Sequence, residues 1–328
     1  MKIFLKILAY IIGVVLVGIT ILLTYVKTML PSVGDAPAMK VELSNERLER
    51  GKYLANHVMV CIDCHSTRDW GLFAGPPMAG TEGKGGEVFD QKIGLPGNYI
   101  ASNITSSNLG SWTDGEIFRA ITTGVSKDGR ALFPIMPYHN YGQLDKNDLE
   151  AVILYIKSLT PIKNETEKSS SDFPMNFIIN TIPKKAECKE IPPVTDVINY
   201  GKYLVTAAAC MNCHTKEVKG KYIGEPFAGG FEFKLTDGSV VTSANITPDK
   251  VSGIGSWTKE KFISRFKVFA DSSYKHAEVL QGEFQTVMPW TMYAGMTTED
   301  LTAIYEYLRN LNPVDNTIIK FTPANKIK

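Results

Sequence analysis

The sequence predicts a mainly α-helical protein in which one module is written twice behind an amino-terminal membrane helix. Three observations carry this expectation: an uncharged apolar run near the start, a set of short motifs recurring in the same order, and apolar residues at helical spacing ahead of a proline in both halves.

The apolar run comes first. From Ile7 to Val26 there is no charged residue, and at 1.5 Å per residue such a run spans roughly the 30 Å hydrocarbon core of a bilayer. Lys2 and Lys6 precede it and only Lys27 follows closely, so the amino terminus is expected in the cytoplasm and the rest of the chain outside it. The rival reading is a cleaved signal peptide, whose apolar core is about 7–15 residues long and ends near an A-x-A site. Here Ala36-Pro37-Ala38 lies well beyond the run and has Pro in its middle. Residues 1–30 are therefore read as an uncleaved anchor.

The duplication is visible as strings. Gly51-Lys52-Tyr53-Leu54 recurs as Gly201-Lys202-Tyr203-Leu204, Asn103-Ile104-Thr105 as Asn245-Ile246-Thr247, Gly110-Ser111-Trp112-Thr113 as Gly255-Ser256-Trp257-Thr258, and Met136-Pro137 as Met288-Pro289. Fixed order with small insertions marks a duplicated domain rather than a solenoid. Each copy closes alike. Asp145 precedes Leu149, Val152, Ile153, Ile156 and Leu159, which share one helical face; Thr297 precedes Leu301, Ile304, Tyr305, Leu308 and Leu311. Pro161 and Pro313 stop both helices. A further helix is expected before each cysteine pair, over roughly 45–60 and 197–209, with irregular loops over 70–112 and 216–257. The modules then occupy residues 41–162 and 194–316. Between them, 163–193 reads as a polar, proline-containing linker with a short ordered stretch from Phe173 to Ile182.

Composition narrows the function. The 328 residues fit about two domains. Hydrophobic and charged contents of 44% and 21% are ordinary for a globular chain, and a formal net charge of +1 gives no footprint for nucleic acid. Five cysteines in this length are too few for a disulfide scaffold. Four of them fall in Cys61-Ile62-Asp63-Cys64-His65 and Cys210-Met211-Asn212-Cys213-His214; Cys188 is left over.

C-x-x-C-H is the attachment signature of c-type haem. Two thiols three positions apart reach the two vinyl groups of one porphyrin, and the adjacent His65 or His214 supplies the proximal iron ligand. Zinc or redox-dithiol readings of the pairs lose to the adjoining histidine. Two such blocks predict two covalently bound haems, and attachment after export agrees with the membrane run. A low-spin haem needs a sixth ligand, and Met raises the potential. Met136 and Met288 stand at matching places, each followed by Pro and an aromatic, Tyr138 or Trp290. His57, His139, His276, Met292 and Cys188 are the competing ligands: the three histidines have no counterpart in the other copy, Met292 lacks the following Pro, and Cys188 reads as a buried or unreacted thiol. Trp112, Trp257, Asn103 and Asn245 are candidate donors to haem propionates, against core packing for the tryptophans and a glycosylation signal for the Asn-Ile-Thr triplets. Gly83-Lys84-Gly85-Gly86 lacks the phosphate-loop pattern and reads as loop.

The strings CIDCHSTRDW, NITSSNLGSWTDGEIFRAITTGVSKDGRALFPIMPY and LYIKSLTP, with CMNCH, NITPDKVSGIGSW and VMPW in the second half, resemble the c-type cytochrome subunits of membrane-bound alcohol, aldehyde and gluconate dehydrogenases. The likeness runs from about Leu48 to Val314. It implies a class I cytochrome c fold for each module, axial ligation by His65 and Met136 and by His214 and Met288, and electron passage from a dehydrogenase towards quinone or a terminal oxidase. Many such subunits carry three haem modules and begin with a cleaved signal, whereas this chain has two modules and an anchor. The expectation is a dihaem electron carrier on the periplasmic side of a bacterial inner membrane, with no catalytic residues of its own. Its partners would be a dehydrogenase subunit, a quinol-oxidising complex or a terminal oxidase. The alternative is a dihaem enzyme of the peroxidase or thiosulfate dehydrogenase type, which needs an open or displaceable iron position.

Overall fold

The computed structural model describes residues 1–324. Helix α1 (Lys2–Thr28) has no buried residue and is long and apolar enough to cross a membrane. Thr20, Thr24 and Thr28 return their hydroxyls to carbonyls one turn back at 2.9, 2.8 and 2.8 Å, which satisfies donors that lipid would leave without partners. Beyond α1 the chain crosses the first half without regular structure. Val41 N donates to Asp114 at 2.7 Å, and Asp114 also pairs with Lys157. The Pro37 carbonyl occupies the space a Cβ at Gly115 would need.

The first half contains α2 (Asn45–Tyr53), α3 (Cys61–Cys64), β1 (Val88–Phe89), β2 (Gly97–Ile100), α4 (Ser106–Leu109), α5 (Asp114–Thr123), α6 (Tyr138–Tyr141) and α7 (Lys146–Ser158). In the connection lie β3 (Ser170–Ser171) and α8 (Met175–Ile178). The second half contains α9 (Val197–Ala207), α10 (Cys210–Cys213), β4 (Glu217–Val218), β5 (Lys221–Tyr222), β6 (Glu232–Lys234), β7 (Val240–Thr242), α11 (Lys259–Lys267), α12 (Trp290–Tyr293), α13 (Thr298–Arg309) and β8 (Phe321–Thr322). Asp145 and Thr297 cap α7 and α13 by accepting from Asn147 N at 2.7 Å and Asp300 N at 3.1 Å. The helix expected over 45–60 is not uniform: α2 widens into one π turn at Leu54–Val58, where Leu54, Ala55 and Val58 are buried.

Packing repeats as well. Helix α2 crosses α7, and α9 crosses α13. At each crossing a glycine permits the approach, because a Cβ at Gly51 would collide with the Ala151 carbonyl and one at Gly201 with the Ala303 carbonyl. Leu149, Val152 and Ile156 on α7, and Leu301, Ile304, Tyr305 and Leu308 on α13, are buried in one cluster that runs through both halves. Each aliphatic among them contributes roughly 1.5–3 kcal/mol.

The two halves clasp each other reciprocally. Tyr53 Oη accepts from Thr297 N (3.1 Å) and donates to Asp300 (2.5 Å); its counterpart Tyr203 accepts from Asp145 N (3.3 Å) and donates to Asp148 (2.6 Å). Each tyrosine thus helps cap the closing helix of the other half. His57 Nδ1 lies 2.9 Å from the Met292 carbonyl, and in the mirrored position Asn140 donates to the Thr206 carbonyl at 3.2 Å.

The linker is less free than its composition predicts. β3 pairs with β2 (Gly97↔Ser171, Asn98↔Ser170), and β8 pairs with β7 (Val240↔Thr322, Val241↔Phe321). Each half therefore recruits a strand from beyond its closing helix, past the ends at 162 and 316 read from the sequence. The signal was weak, because a two-residue edge strand has no periodicity to detect.

Candidate haem-binding sites

The attachment turns are built identically. α3 and α10 are single helical turns, each entered through a left-handed residue, Val60 (φ 49°) and Ala209 (φ 50°). Such a conformation costs a residue with a Cβ roughly 1–2 kcal/mol. The His65 and His214 amides close the turns by donating to the carbonyls of Cys61 (3.0 Å) and Cys210 (2.9 Å). Three-residue spacing puts both thiols of a pair on one side of the turn. All four are free of disulfides.

The histidines are strapped by backbone. His65 Nδ1 lies 2.7 Å from the Ser102 carbonyl, and His214 Nδ1 lies 2.7 Å from the Ala244 carbonyl. A carbonyl only accepts, so Nδ1 carries the proton and Nε2 keeps its lone pair, the tautomer a ligating imidazole needs. Burial lowers the pKa of both rings, which favours the neutral form. The straps are held by glycines: Gly85 N donates to the His65 carbonyl (2.9 Å) and Gly229 N to the His214 carbonyl (2.8 Å). Both have positive φ, 70° and 74°, and a Cβ on either would press into the backbone at 102–103 or 243–244. Gly85, read from sequence as plain loop, is thus a positioning residue of the site.

Met136 and Met288 sit half-buried against the core, immediately before α6 and α12. Tyr138 N donates to the Met136 carbonyl (2.7 Å) and Trp290 N to the Met288 carbonyl (2.8 Å). One hydrogen bond then ties each methionine turn to its attachment turn: Tyr141 Oη donates to the Met59 carbonyl and Tyr293 Oη to the Ala208 carbonyl, both at 2.9 Å. The only sequence signal for these tyrosines is that both stand five places after their methionine. In each half the histidine, the cysteine pair and the methionine segment are joined by fixed hydrogen bonds to the backbone. That donor set, two free thiols and a neutral imidazole with a free Nε2, suits a covalently attached haem.

The competing ligands have other surroundings. His57 faces the Met292 carbonyl, His139 lies edge-on to Tyr138 at 4.5 Å, and His276 lies edge-on to Tyr274 at 5.1 Å. Met292 is buried in the core and Cys188 is exposed. Among the described residues no three His, Cys, Asp or Glu side chains gather into a metal cage.

The structure gives the two asparagines a task other than propionate binding. Asn103 donates to the carbonyls of Ile162 (2.8 Å) and Asn164 (3.2 Å), and Asn245 donates to Ser252 Oγ (3.0 Å) and the Val314 carbonyl (2.7 Å). Their Oδ1 atoms accept from Thr105 and Thr247. Each Asn-Ile-Thr triplet therefore pins the strap loop to the chain leaving the closing helix, with its amide donors already engaged. Trp112 and Trp257 are half-buried, and neither indole N–H has a partner among the described residues.

One feature is confined to the first half. Asp63, between the two cysteines, is 3% exposed and pairs at 3.1 Å with Arg68, itself 9% exposed. Burial pushes the Asp63 carboxyl up to about 6, opposed by the Arg68 charge. Arg68 also donates to the carbonyls of Gly75 (2.7 Å) and Ala74 (2.9 Å) and lies over the Trp70 ring at 4.1 Å.

Residues 198–312 match the cytochrome c family model. The chain is 26% identical over 299 residues to the cytochrome c subunit of a quinone alcohol dehydrogenase from Gluconacetobacter polyoxogenes, a match covering 86% of this chain and 59% of that protein. It is 24% identical to the gluconate 2-dehydrogenase cytochrome c subunit of Pantoea cypripedii, covering 88% and 65%. It is 28% identical to the fructose dehydrogenase cytochrome subunit of Gluconobacter japonicus, covering 80% and 52%. The chain thus spans little more than half the length of these curated relatives. It carries a cytochrome c domain, with the covalently bound c-type haem that such a domain implies, and is homologous to the cytochrome c subunits of alcohol, gluconate and fructose dehydrogenases.

Proposed function

We propose that this protein is a membrane-anchored dihaem electron carrier. Two class I cytochrome c modules, residues 41–162 and 194–316, follow an anchor at 1–30. Cys61 and Cys64 would hold one haem by thioether bonds and Cys210 and Cys213 the other. His65 and Met136 would fill the axial positions in the first module, His214 and Met288 in the second, with Trp112 and Trp257 donating to propionates. When bound, each haem supplies a one-electron ferric/ferrous couple.

The observation that carries this reading is the same triple arrangement in both halves: a Nδ1-strapped histidine, a free cysteine pair, and a methionine turn tied back to the attachment turn by Tyr141 or Tyr293. Such straps keep the imidazoles oriented and neutral, and the tied methionine turns favour saturated iron over an open catalytic position. The homologues, being cytochrome c subunits of dehydrogenases, support a dehydrogenase subunit as electron donor. A quinol-oxidising complex or terminal oxidase would lie at the other end of the path, on the periplasmic side of a bacterial inner membrane.

The test is purification in detergent, followed by a haem count per chain, identification of bound subunits and an assay for peroxide turnover. Two covalent haems, a companion dehydrogenase and no turnover are expected. High-spin haem with peroxide turnover would replace the carrier by the enzyme reading.

A further inference from the structure

The connecting segment after β3 is ordered, apolar and held at the foot of α1. Phe173 is 80% exposed and Ile178 is 44% exposed, so neither is core. α8 and the short 3₁₀ turn Ile179–Thr181 pack on α1. The contact falls at Lys27, the first charge after the apolar run: its Nζ donates to the Asn176 carbonyl at 2.7 Å and lies 4.8 Å from the centre of the Phe177 ring. The other end of the segment is fixed to the first module, where Asp172 N donates to the Pro96 carbonyl at 3.0 Å and Asp172 accepts from Gln91 Nε2 at 2.9 Å.

These contacts determine a height. A lysine that ends a spanning run places its ammonium group at the boundary between hydrocarbon and headgroups. Any backbone within hydrogen-bond reach of that ammonium stands at the same boundary. Exposed aromatic and aliphatic side chains at that depth gain by burial in lipid, whereas in water they would form an apolar patch without a partner. From this we propose that residues 173–178 are a second membrane contact, an interfacial foot seated in the outer surface of the bilayer beside α1 through Phe173 and Ile178. It rests on the reading of α1 as the anchor. Because β3 joins the foot to the sheet of the first module, it would fix that module's height and tilt over the membrane, which a lone helix followed by irregular chain does not.

The test uses the full-length haem-loaded chain, without other subunits, in phospholipid nanodiscs that leave both faces open to solvent. Single cysteines are placed by Phe173→Cys, Ile178→Cys, Leu16→Cys and Val251→Cys in a Cys188→Ser background, and their reaction with a charged, membrane-impermeant maleimide is timed. Leu16→Cys is expected to stay unreactive. Val251→Cys, at a position 88% exposed, should react at the rate of free thiol. Phe173→Cys and Ile178→Cys should react about tenfold or more slowly than Val251→Cys, because an apolar environment suppresses the reactive thiolate. Labelling of 173 and 178 as fast as 251, with 16 protected, would overturn the foot while leaving the anchor in place, and would assign the patch to a protein partner. Labelling of Leu16→Cys would remove the anchor, and the foot with it.

Discussion

The two halves share a frame and differ in how they compensate charge. At the third position of each closing helix stands an aspartate, Asp148 or Asp300, reached by a tyrosine from the opposite half. Within its own half, Asp148 is gripped by Arg50 through two bonds of 2.8 and 2.7 Å, whereas Asp300 receives a 2.9 Å hydrogen bond from Tyr200, which stands where Arg50 does. The attachment turns diverge in the same sense. The first encloses the Asp63–Arg68 pair, while the second has Asn212 and Glu217 at those places. The halves are alike where geometry demands it, in helix crossings, straps and turns, and differ in the charges around it. Haems held in both halves, as proposed, would then differ in potential because their surroundings differ.

Breaking an attachment turn should have the largest effect. Cys61→Ala with Cys64→Ala, or Cys210→Ala with Cys213→Ala, is expected to lower the covalent haem count from two to one, measured after denaturation and extraction. Loss of both haems from either double variant would mean the halves do not mature independently.

Replacing the proposed sixth ligand is next. Met136→His and Met288→His should each lower one midpoint potential by on the order of 0.1 V and leave the other within error, since axial ligands govern a range of roughly 0.8 V. An unchanged redox titration would take the altered methionine out of the ligand set.

The clasp should respond unequally on its two sides. Hydrogen bonds to charged groups contribute about 1.5–3 kcal/mol, so Tyr53→Phe and Tyr203→Phe should both destabilise the protein in denaturant unfolding. Tyr53→Phe should cost more, because Asp300 has no cation like Arg50 to compensate it. Equal losses would show that the Arg50/Tyr200 difference carries no energetic weight. Asp63→Asn addresses the other asymmetry. Removing a buried negative charge beside one attachment turn should raise the potential of that haem by some tens of millivolts and leave its partner unmoved.

The smallest effect concerns pH. Burial lowers the pKa of His57, with further lowering from Lys267 and Lys52. A histidine with a depressed folded pKa takes up its proton more readily when unfolded, so its contribution is complete above the ordinary value near 6.5 and is lost as pH falls below it. Stability should therefore decline on acidification from about 6.5, and His57→Gln should flatten that part of the profile. A profile identical to the unaltered protein would contradict this.

Much of the frame was legible in the sequence because repetition doubles every signal. A single Met-Pro means little, but Met-Pro at the same distance before two matching helices does not arise from composition. The capped closing helices and the attachment turns could be read for the same reason. What stayed hidden depends on contacts between distant segments. Gly85 looks like any loop glycine until its φ and its bond to the His65 carbonyl are known, and Asn103 looks free to bind a ligand until both donors are found engaged. Two-residue strands such as β3 and β8 have no period at all. The clasp was visible only in part: Tyr53 and Tyr203 lie within the recurring motif, but nothing local says that each reaches across to the other half.

The proposed function requires two saturated haems of like ligation in one chain. Near-infrared magnetic circular dichroism of the ferric protein measures it most directly, since methionine–iron and other axial pairs have separate charge-transfer bands. A methionine–iron band of the intensity due to two haems per chain is expected, halved in Met136→His and in Met288→His alike. A band worth one haem or none, or a high-spin signal in the unaltered protein, would contradict it.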